Sequence, residues 1–169
     1  MLSFVVGNAS DVFGAGFAQA AHSELKKRFP SLPPERHEEP YRSEPVEVRG
    51  WFELQKLAAS MLGTASALSL EPYQAVYLPF ATNGIESIIV PQAADPLHAA
   101  SLDALLDELR RFAGAASLPT DDLELMQLAA KYLEDDALFD QDLDTQTYVQ
   151  LMLTAKQAAA RKQPLWLVV

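Results

Sequence analysis

The chain has 169 residues, a formal net charge of −10 and 49% hydrophobic residues. This length suits one domain, and the apolar content is sufficient for a buried core, which excludes an intrinsically disordered chain. A surface this acidic repels phosphate and argues against nucleic-acid binding, and the lack of cysteine excludes disulfide scaffolds, thiol nucleophiles and cysteine zinc sites.

The first apolar run, at residues 2–6, is too short for a signal-peptide core or a membrane span, and no basic region precedes it. It is followed by Gly7-Asn8, which favours a short buried strand that ends there. No later apolar stretch reaches spanning length. We therefore expect a soluble, cytoplasmic protein that does not contact a membrane.

A helix is predicted next, with Ser10 or Asp11 as its cap, because apolar residues recur at helical spacing over residues 12–25. The basic run at residues 26–28 suits the negative end of the helix dipole. Five of the eleven prolines then fall in residues 30–45, which predicts an irregular, extended connection, the Pro-rich loop. This loop is either a binding loop or lid, or a solvated connector.

Residues 51–62 carry an apolar helical stripe that Gly63 is suited to end. Two runs rich in β-branched and aromatic residues follow at 73–80 and 85–90, with Asn83-Gly84 between them. Because this dipeptide favours a tight turn, we expect the two runs to pair as a hairpin.

Three more helices and a final strand are predicted in the rest of the chain. Ser101 caps the first. Thr120 or Asp121 starts the second, where Asp121 and Glu124 have capping-box spacing, and the third covers about residues 145–161. The last run, LWLVV, is typical of a buried strand, and we expect it to pair with the N-terminal strand. The predicted fold is a single α+β or α/β domain over residues 1–169, with a small mixed sheet of about four strands and about five helices.

Most of the net charge lies in residues 120–150, which hold nine acidic residues and one base, a local charge of −8. We expect an acidic helix-loop-helix here, with the densest acid in a loop between two packed helices. Such a loop would present a negative, aromatic-bearing surface to a basic partner protein, and long-range attraction would speed the encounter. The candidate partner-binding residues are Tyr132, Glu134, Asp135, Asp136, Phe139, Asp140, Asp142 and Asp144. The alternative is a solvated loop that keeps the protein soluble.

The spacing of Asp140, Asp142 and Asp144 matches the first three ligands of an EF-hand calcium loop. The rest of that loop departs from the pattern. Thr145 stands where a glycine must make the turn, and Leu151 stands where a glutamate must close the shell. We therefore predict no metal site at this position.

Candidate catalytic residues are scarce. The three histidines, at positions 22, 37 and 98, share no helical face, and no Gly-x-Ser-x-Gly motif occurs. We predict no catalytic residues and no cofactor, which leaves enzymatic activity undecided and favours a protein without it.

Two short segments combine a strand end with glycines: VVGN at residues 5–8 followed by GAG at 14–16, and VYLP at 76–79 followed by Gly84. Together they resemble the macro domains, in which a strand ending in asparagine leads to a Gly-x-Gly helix start and a second loop holds phosphate. The resemblance implies an ADP-ribose-binding or ADP-ribose-hydrolysing domain. In it, Asn8 would contact the distal ribose, and the backbone at Gly14, Gly16 and Gly84 would hold the diphosphate.

The general character of the chain, one domain with concentrated acid and no catalytic constellation, resembles bacterial immunity proteins, which neutralise toxins. This resemblance implies a protein that inhibits a basic partner, such as a cognate toxin, by covering its positive surface. Two hypotheses therefore remain: an inhibitor of a basic partner, which we favour, and a macro-like domain that binds or hydrolyses ADP-ribose.

Overall fold

The computed structural model describes residues 1–63, 65–135 and 137–169. The α-helices in these residues are α1 (Ala15–Arg28), α2 (Val48–Leu62), α3 (Leu102–Ala116), α4 (Asp122–Glu134) and α5 (Leu143–Arg161). The strands are β1 (Ser3–Val6), β2 (Tyr41–Arg42), β3 (Ala75–Leu78), β4 (Glu86–Ile88), β5 (Leu97–Ser101) and β6 (Leu165–Val168). Two short 3-10 helices cover Ala9–Asp11 and Ala67–Ser69.

All the strands belong to one mixed sheet in the order β2-β1-β6-β3-β5-β4. β3 and β5 are parallel, and the other neighbouring pairs are antiparallel. β1 and β6 lie side by side, with Val5 opposite Trp166. The prediction that the N-terminal and C-terminal strands pair is therefore confirmed.

Helices cover both faces of this sheet. On one face, α2, α3 and α5 pack against side chains that include Phe4 and Tyr77, and on the other α1 packs against Val5, Val76 and Trp166. Neighbouring residues such as Phe4 and Val5 serve opposite faces because side chains alternate along a strand. A mixed sheet between helical layers, with five α-helices, confirms the predicted fold class.

The predicted hairpin is wrong. β5 lies between β3 and β4, parallel to the first and antiparallel to the second. Gly84 does adopt a positive φ of 66°, but the turn there leads to the sheet edge and not back onto β3. β5 has the sequence LHAAS, which contains none of the β-branched or aromatic residues that usually mark a strand. The sequence pattern therefore gave no sign of the strand that separates the pair.

The first helix begins later than predicted. Ala9–Asp11 forms a 3-10 turn instead, because the Asp11 carboxylate accepts a hydrogen bond from the Asn8 backbone N–H at 2.6 Å. α1 then starts at Ala15, after Gly14. The Pro-rich loop also contains an unpredicted element, the edge strand β2, which pairs with β1.

Two of the predicted helix caps are confirmed. The Ser101 hydroxyl accepts a hydrogen bond from the Ala104 N–H at 3.4 Å at the start of α3. The Asp121 carboxylate accepts hydrogen bonds from the N–H groups of Leu123 and Glu124 at 3.0 and 3.3 Å at the start of α4. These bonds satisfy N–H groups that have no partner within the helix.

Candidate functional site

The acidic helix-loop-helix is built on α5, the longest helix, which is buried along much of its length. α2 approaches the first turn of α5 very closely at Gly50. A Cβ added there would lie 2.5 Å from the Thr147 hydroxyl and 2.6 Å from the Leu143 carbonyl oxygen. The start of α5 is therefore fixed against the core, and it gives the acidic residues before it a rigid support.

α4 packs on the outer side of α5. Its inner face buries Leu125 and Tyr132. Lys156 of α5 forms an ion pair with Asp122 and donates a hydrogen bond to the Thr120 carbonyl oxygen at 2.6 Å. The first turn of α4 is thus attached to α5 by charge as well as by apolar packing.

The backbone between α4 and α5 is held by one buried side chain, that of Gln146. Its Nε2 lies 3.3, 2.8 and 2.6 Å from the carbonyl oxygens of Leu138, Phe139 and Gln141, so its two N–H groups serve three acceptors, with one bond shared. A neutral amide therefore bonds most of the backbone of this turn. Several of the carboxylates around it face solvent.

Tyr132 and Asp142 connect the end of α4 to the start of α5. The Tyr132 hydroxyl donates to Asp142 Oδ2 at 3.0 Å, and Asp142 has a left-handed backbone with φ 48°. Burial, followed by the hydrogen bond to Asp142 and the charges of Asp142 and Asp144, raises the pKa of Tyr132 to about 12. The phenol therefore stays neutral and keeps donating throughout the physiological pH range.

Most of the predicted carboxylates lie at the surface. Glu134, Asp135, Asp140 and Asp142 are exposed, and Asp144 is half-buried in the first turn of α5. An acid in the first turn of a helix is favoured by the helix dipole. Asp136 lies outside the residues that the structure describes.

Some of these acids have structural contacts and others do not. Asp135 Oδ1 accepts a hydrogen bond from the Ala137 N–H at 3.0 Å, and Asp142 accepts the bond from Tyr132. Within the described parts of the chain, Glu134, Asp140 and Asp144 make no side-chain hydrogen bond or ion pair. These three carboxylates are therefore the ones that can be changed without disturbing a described contact.

The aromatic residues do not all lie at this surface. Tyr132 is only 6% exposed, and Tyr148 is fully buried, with its ring 5.7 Å from that of Phe112 and its hydroxyl bonded to the Pro119 carbonyl oxygen at 2.7 Å. Burial raises the pKa of Tyr148 to about 12. Phe139 is half-buried and lines a narrow crevice of about 20 Å³ together with Leu133. Of these three aromatics, Phe139 alone is placed to touch a partner with part of its ring.

The structure shows exposed apolar residues on α4 that are not among the predicted site residues. Leu123, Met126 and Leu133 on α4 are 61%, 53% and 53% exposed. They face away from the buried side of the helix, and Ala130 lies between them. The signal was present in the sequence, since α4 is apolar at two sets of helically spaced positions and one packed face can bury only one of them.

The residues of the macro-domain resemblance have other contacts. Asn8 Nδ2 donates to the Arg36 carbonyl oxygen at 2.6 Å, and Asn8 Oδ1 accepts from the Arg36 N–H at 2.9 Å. Both polar atoms of this amide thus fasten the Pro-rich loop to the end of β1. A ribose at Asn8 would have to displace these two bonds.

The glycines of that resemblance lie towards opposite ends of the central strands. Phe13, next to Gly14, lines a depression with Val169, at the end of the sheet where β3 begins and β6 ends. Gly84 follows the last residue of β3 and lies beside Ser101, at the opposite end of that strand. Gly14 and Gly16 are exposed, and a Cβ added to either would meet nothing within 4 Å. The structure therefore does not bring the two predicted phosphate loops together.

The histidines are dispersed. His22 and His98 are half-buried and His37 is exposed; His98 Nδ1 lies 3.1 Å from the Ser87 hydroxyl across β4 and β5. Among residues 1–63, 65–135 and 137–169, no three or more His, Cys, Asp or Glu side chains are grouped so that they could hold a metal ion. What the acidic helix-loop-helix offers chemically is therefore negative charge beside apolar contact surface.

Comparisons with family profiles, with curated proteins and with solved structures found no match to this chain. In the part of the chain that the structure describes, no helix is both long enough and apolar enough to cross a bilayer.

Proposed function

We propose that this chain is a non-enzymatic, cytoplasmic protein-binding module that inhibits a basic partner protein by covering its positive surface, as an immunity protein covers a toxin. The observation that carries the proposal is the set of exposed carboxylates at the junction of α4 and α5, where Glu134, Asp135, Asp140 and Asp142 all face solvent. A concentrated negative patch attracts a cationic protein and orients it before contact.

The rigidity of the junction also supports the proposal. Gln146 holds three backbone carbonyls of the loop, and Gly50 lets α2 fix the helix that follows. A surface that is already ordered loses less conformational entropy when a partner binds. The backbone that carries the carboxylates is therefore already ordered before a partner binds.

Acidic residues far outnumber basic ones in this part of the chain. Lys131 is the one base between residues 120 and 150, against nine acids; it is exposed, and its Nζ lies 5.7 Å from the centre of the Tyr132 ring. Lys156 pairs with Asp122 at the far end of α4. The field at the α4–α5 junction is consequently negative, as a basic partner requires.

The proposal is tested by affinity capture on the immobilised full chain from a lysate of the source cells, followed by titration of the captured protein at several salt concentrations. The acid variant is Glu134→Gln, Asp140→Asn, Asp144→Asn, which removes three charges that make no described contact. The matched control is Glu35→Gln, Glu38→Gln, Glu71→Gln, which removes three exposed charges elsewhere.

We expect a basic protein to be captured by the wild-type chain and the control, and to bind the acid variant about tenfold more weakly, since each exposed charge pair contributes about 0.2–1 kcal/mol. The salt dependence should also be shallower in the acid variant. Equal binding by the acid variant and the wild-type chain at low salt would contradict the proposal.

A further inference from the structure

The exposed apolar residues of α4 form a continuous stripe. Leu123, Met126, Ala130 and Leu133 are spaced three, four and three residues apart, so they lie along one line of the helix surface. Three of them are more than half exposed. Among the large exposed hydrophobic side chains of the described residues, this is the one set that repeats along a helix.

The stripe does not end with the helix. Leu133 lines the crevice that also contains Phe139, Pro45 and Val46. The apolar surface therefore continues from the first turn of α4 to the acidic junction. A partner that covered the stripe would reach Phe139 and the exposed carboxylates at the same time.

Acid lies at both ends of the stripe. Asp122, about one helical turn before Met126, is paired with Lys156, whereas Glu134, one turn after Ala130, makes no described ion pair. The one base of this segment, Lys131, is exposed and lies over the Tyr132 ring. The stripe therefore leads from an ion-paired acid to Glu134 and the acidic junction that follows it.

We infer that this stripe docks an amphipathic helix of the basic partner, one with an apolar seam bordered by lysine and arginine. The inference rests on the proposed function and adds the docking element and its apolar contacts. A three-four spacing is the seam along which two helices pack in coiled coils, and the flanking charges of such a pair set the choice of partner. The exposed acid at the end of the stripe favours a cationic helix.

A second copy of this chain fits the stripe poorly. Each copy has a local charge of −8 in residues 120–150, so self-pairing would bring two acidic regions together. Like charges at the border of a helix pair oppose association. Charge complementarity thus favours a cationic partner over a homodimer.

The test uses a dye-labelled three-heptad peptide with leucine at the a and d positions and lysine at e and g, titrated with the full chain and followed by fluorescence anisotropy. A second peptide has glutamate in place of lysine. A third keeps the lysine composition but shuffles the order, so that leucine no longer lies on one face. We expect the first peptide to bind at least about tenfold more tightly than either of the others.

The decisive variant is Leu123→Gln, Met126→Gln, which should weaken binding of the lysine peptide by at least about tenfold, since both side chains would be buried at the contact. The matched control, Met61→Gln, Ile89→Gln, removes exposed apolar side chains from other surfaces and should bind as the wild type does. Thermal melts check that both variants remain folded.

The outcomes separate the two proposals. If the acid variant Glu134→Gln, Asp140→Asn, Asp144→Asn weakens peptide binding but Leu123→Gln, Met126→Gln does not, the stripe is not the docking site and the acidic surface remains one. If the glutamate peptide binds as well as the lysine peptide, the cationic partner is wrong. If light scattering shows a dimer that Leu123→Gln, Met126→Gln converts to a monomer, the stripe is a self-association face and the inference is overturned.

Discussion

The Pro-rich loop and the junction between α4 and α5 are two irregular connections that the sequence predicts, and different groups hold their backbones in place. In the Pro-rich loop the contacts are made by arginines. Arg36 Nη1 donates to the Arg161 carbonyl oxygen at 2.6 Å, and Arg161 Nη1 donates to the Glu39 carbonyl oxygen at 2.9 Å. At the α4–α5 junction a neutral amide, Gln146, holds the backbone, and several of the charges face solvent.

The two connections also differ in charge balance. Residues 30–45 hold four glutamates and two arginines, whereas residues 134–144 hold six acids and no base. Asn8, Arg36 and Arg161 together attach the Pro-rich loop to the ends of β1 and α5. These bonds give the Pro-rich loop a structural role, and the denser acid at the junction supports our proposal that the junction is the interaction surface.

The largest effect on stability is expected at Gly50, where α2 packs against the first turn of α5. Gly50→Ala places a methyl group 2.6 Å from the Leu143 carbonyl oxygen, where backbone must move to make room. The free energy of unfolding should fall by about 3 kcal/mol, because overpacking two close helices displaces both of them. Urea unfolding followed by tryptophan fluorescence measures this change.

The matched control for that prediction is Gly114→Ala in α3, where an added Cβ meets nothing within 4 Å. Replacing a glycine in an unobstructed helix should raise the free energy of unfolding by about 0.5–1 kcal/mol. Equal effects of the two substitutions, in sign and size, would show that α2 and α5 are not in close contact at Gly50.

The next effect tests the Pro-rich loop. Asn8→Ala removes two hydrogen bonds to the Arg36 backbone, which leaves a partly buried N–H and carbonyl without their partner. We expect a loss of about 2 kcal/mol and faster proteolysis within residues 30–45. Asn83→Ala, at an exposed turn, is the control and should change stability by less than about 0.5 kcal/mol. Unchanged proteolysis in Asn8→Ala would remove the structural role of the loop.

A smaller effect is expected at the α4–α5 junction. Gln146→Ala removes the donor to three carbonyl oxygens, of which the more exposed can bond water instead. We expect a loss of about 1.5 kcal/mol, with faster amide hydrogen exchange confined to the loop. Gln157→Ala, an exposed position on the same helix, is the control. Uniformly faster exchange over α4 and α5 would mean that the amide supports the whole helix pair instead of the loop.

The sequence was sufficient for features that depend on local patterns. The caps at Ser101 and Asp121 and the pairing of the terminal strands depend on residue type and on apolar runs, and all were predicted correctly. The position of β5 was not predicted, since Leu97–Ser101 is a strand because of its neighbours in the sheet and not because of its composition. Asn83-Gly84 does form a turn, but a turn dipeptide does not specify which strand β4 pairs with.

The candidate site could likewise be predicted only in part from the sequence. The concentration of acid in residues 120–150 could be counted, but the use of each residue could not. Tyr132 is an interior hydrogen-bond donor, Asp142 is its acceptor, and Gln146 holds the turn. These roles depend on how α4 packs on α5, which brings groups ten residues apart into contact and turns Leu123 and Met126 outward.

The smallest effect concerns the bond between Tyr132 and Asp142. The pKa of Tyr132 is raised from 10.0 to about 12 in the folded protein, so the neutral phenol is favoured by folding. Its contribution is complete below pH 10 and is lost as the pH rises from 10 towards 12, at up to about 1.4 kcal/mol per pH unit. Tyr132→Phe should cost about 1 kcal/mol at pH 7 through the lost hydrogen bond.

Urea unfolding at pH 7, 9, 10.5 and 11.5 measures this linkage, with Tyr148→Phe as the comparison. The pKa of Tyr148 is also raised to about 12, but by burial alone and with a backbone carbonyl as acceptor. Asp142→Asn should therefore lower the pKa of Tyr132 and leave that of Tyr148 unchanged, because only Tyr132 is affected by the carboxylate. If Asp142→Asn shifts neither titration, the interaction that joins α4 to the start of α5 is packing, and the acidic junction has one fewer structural carboxylate.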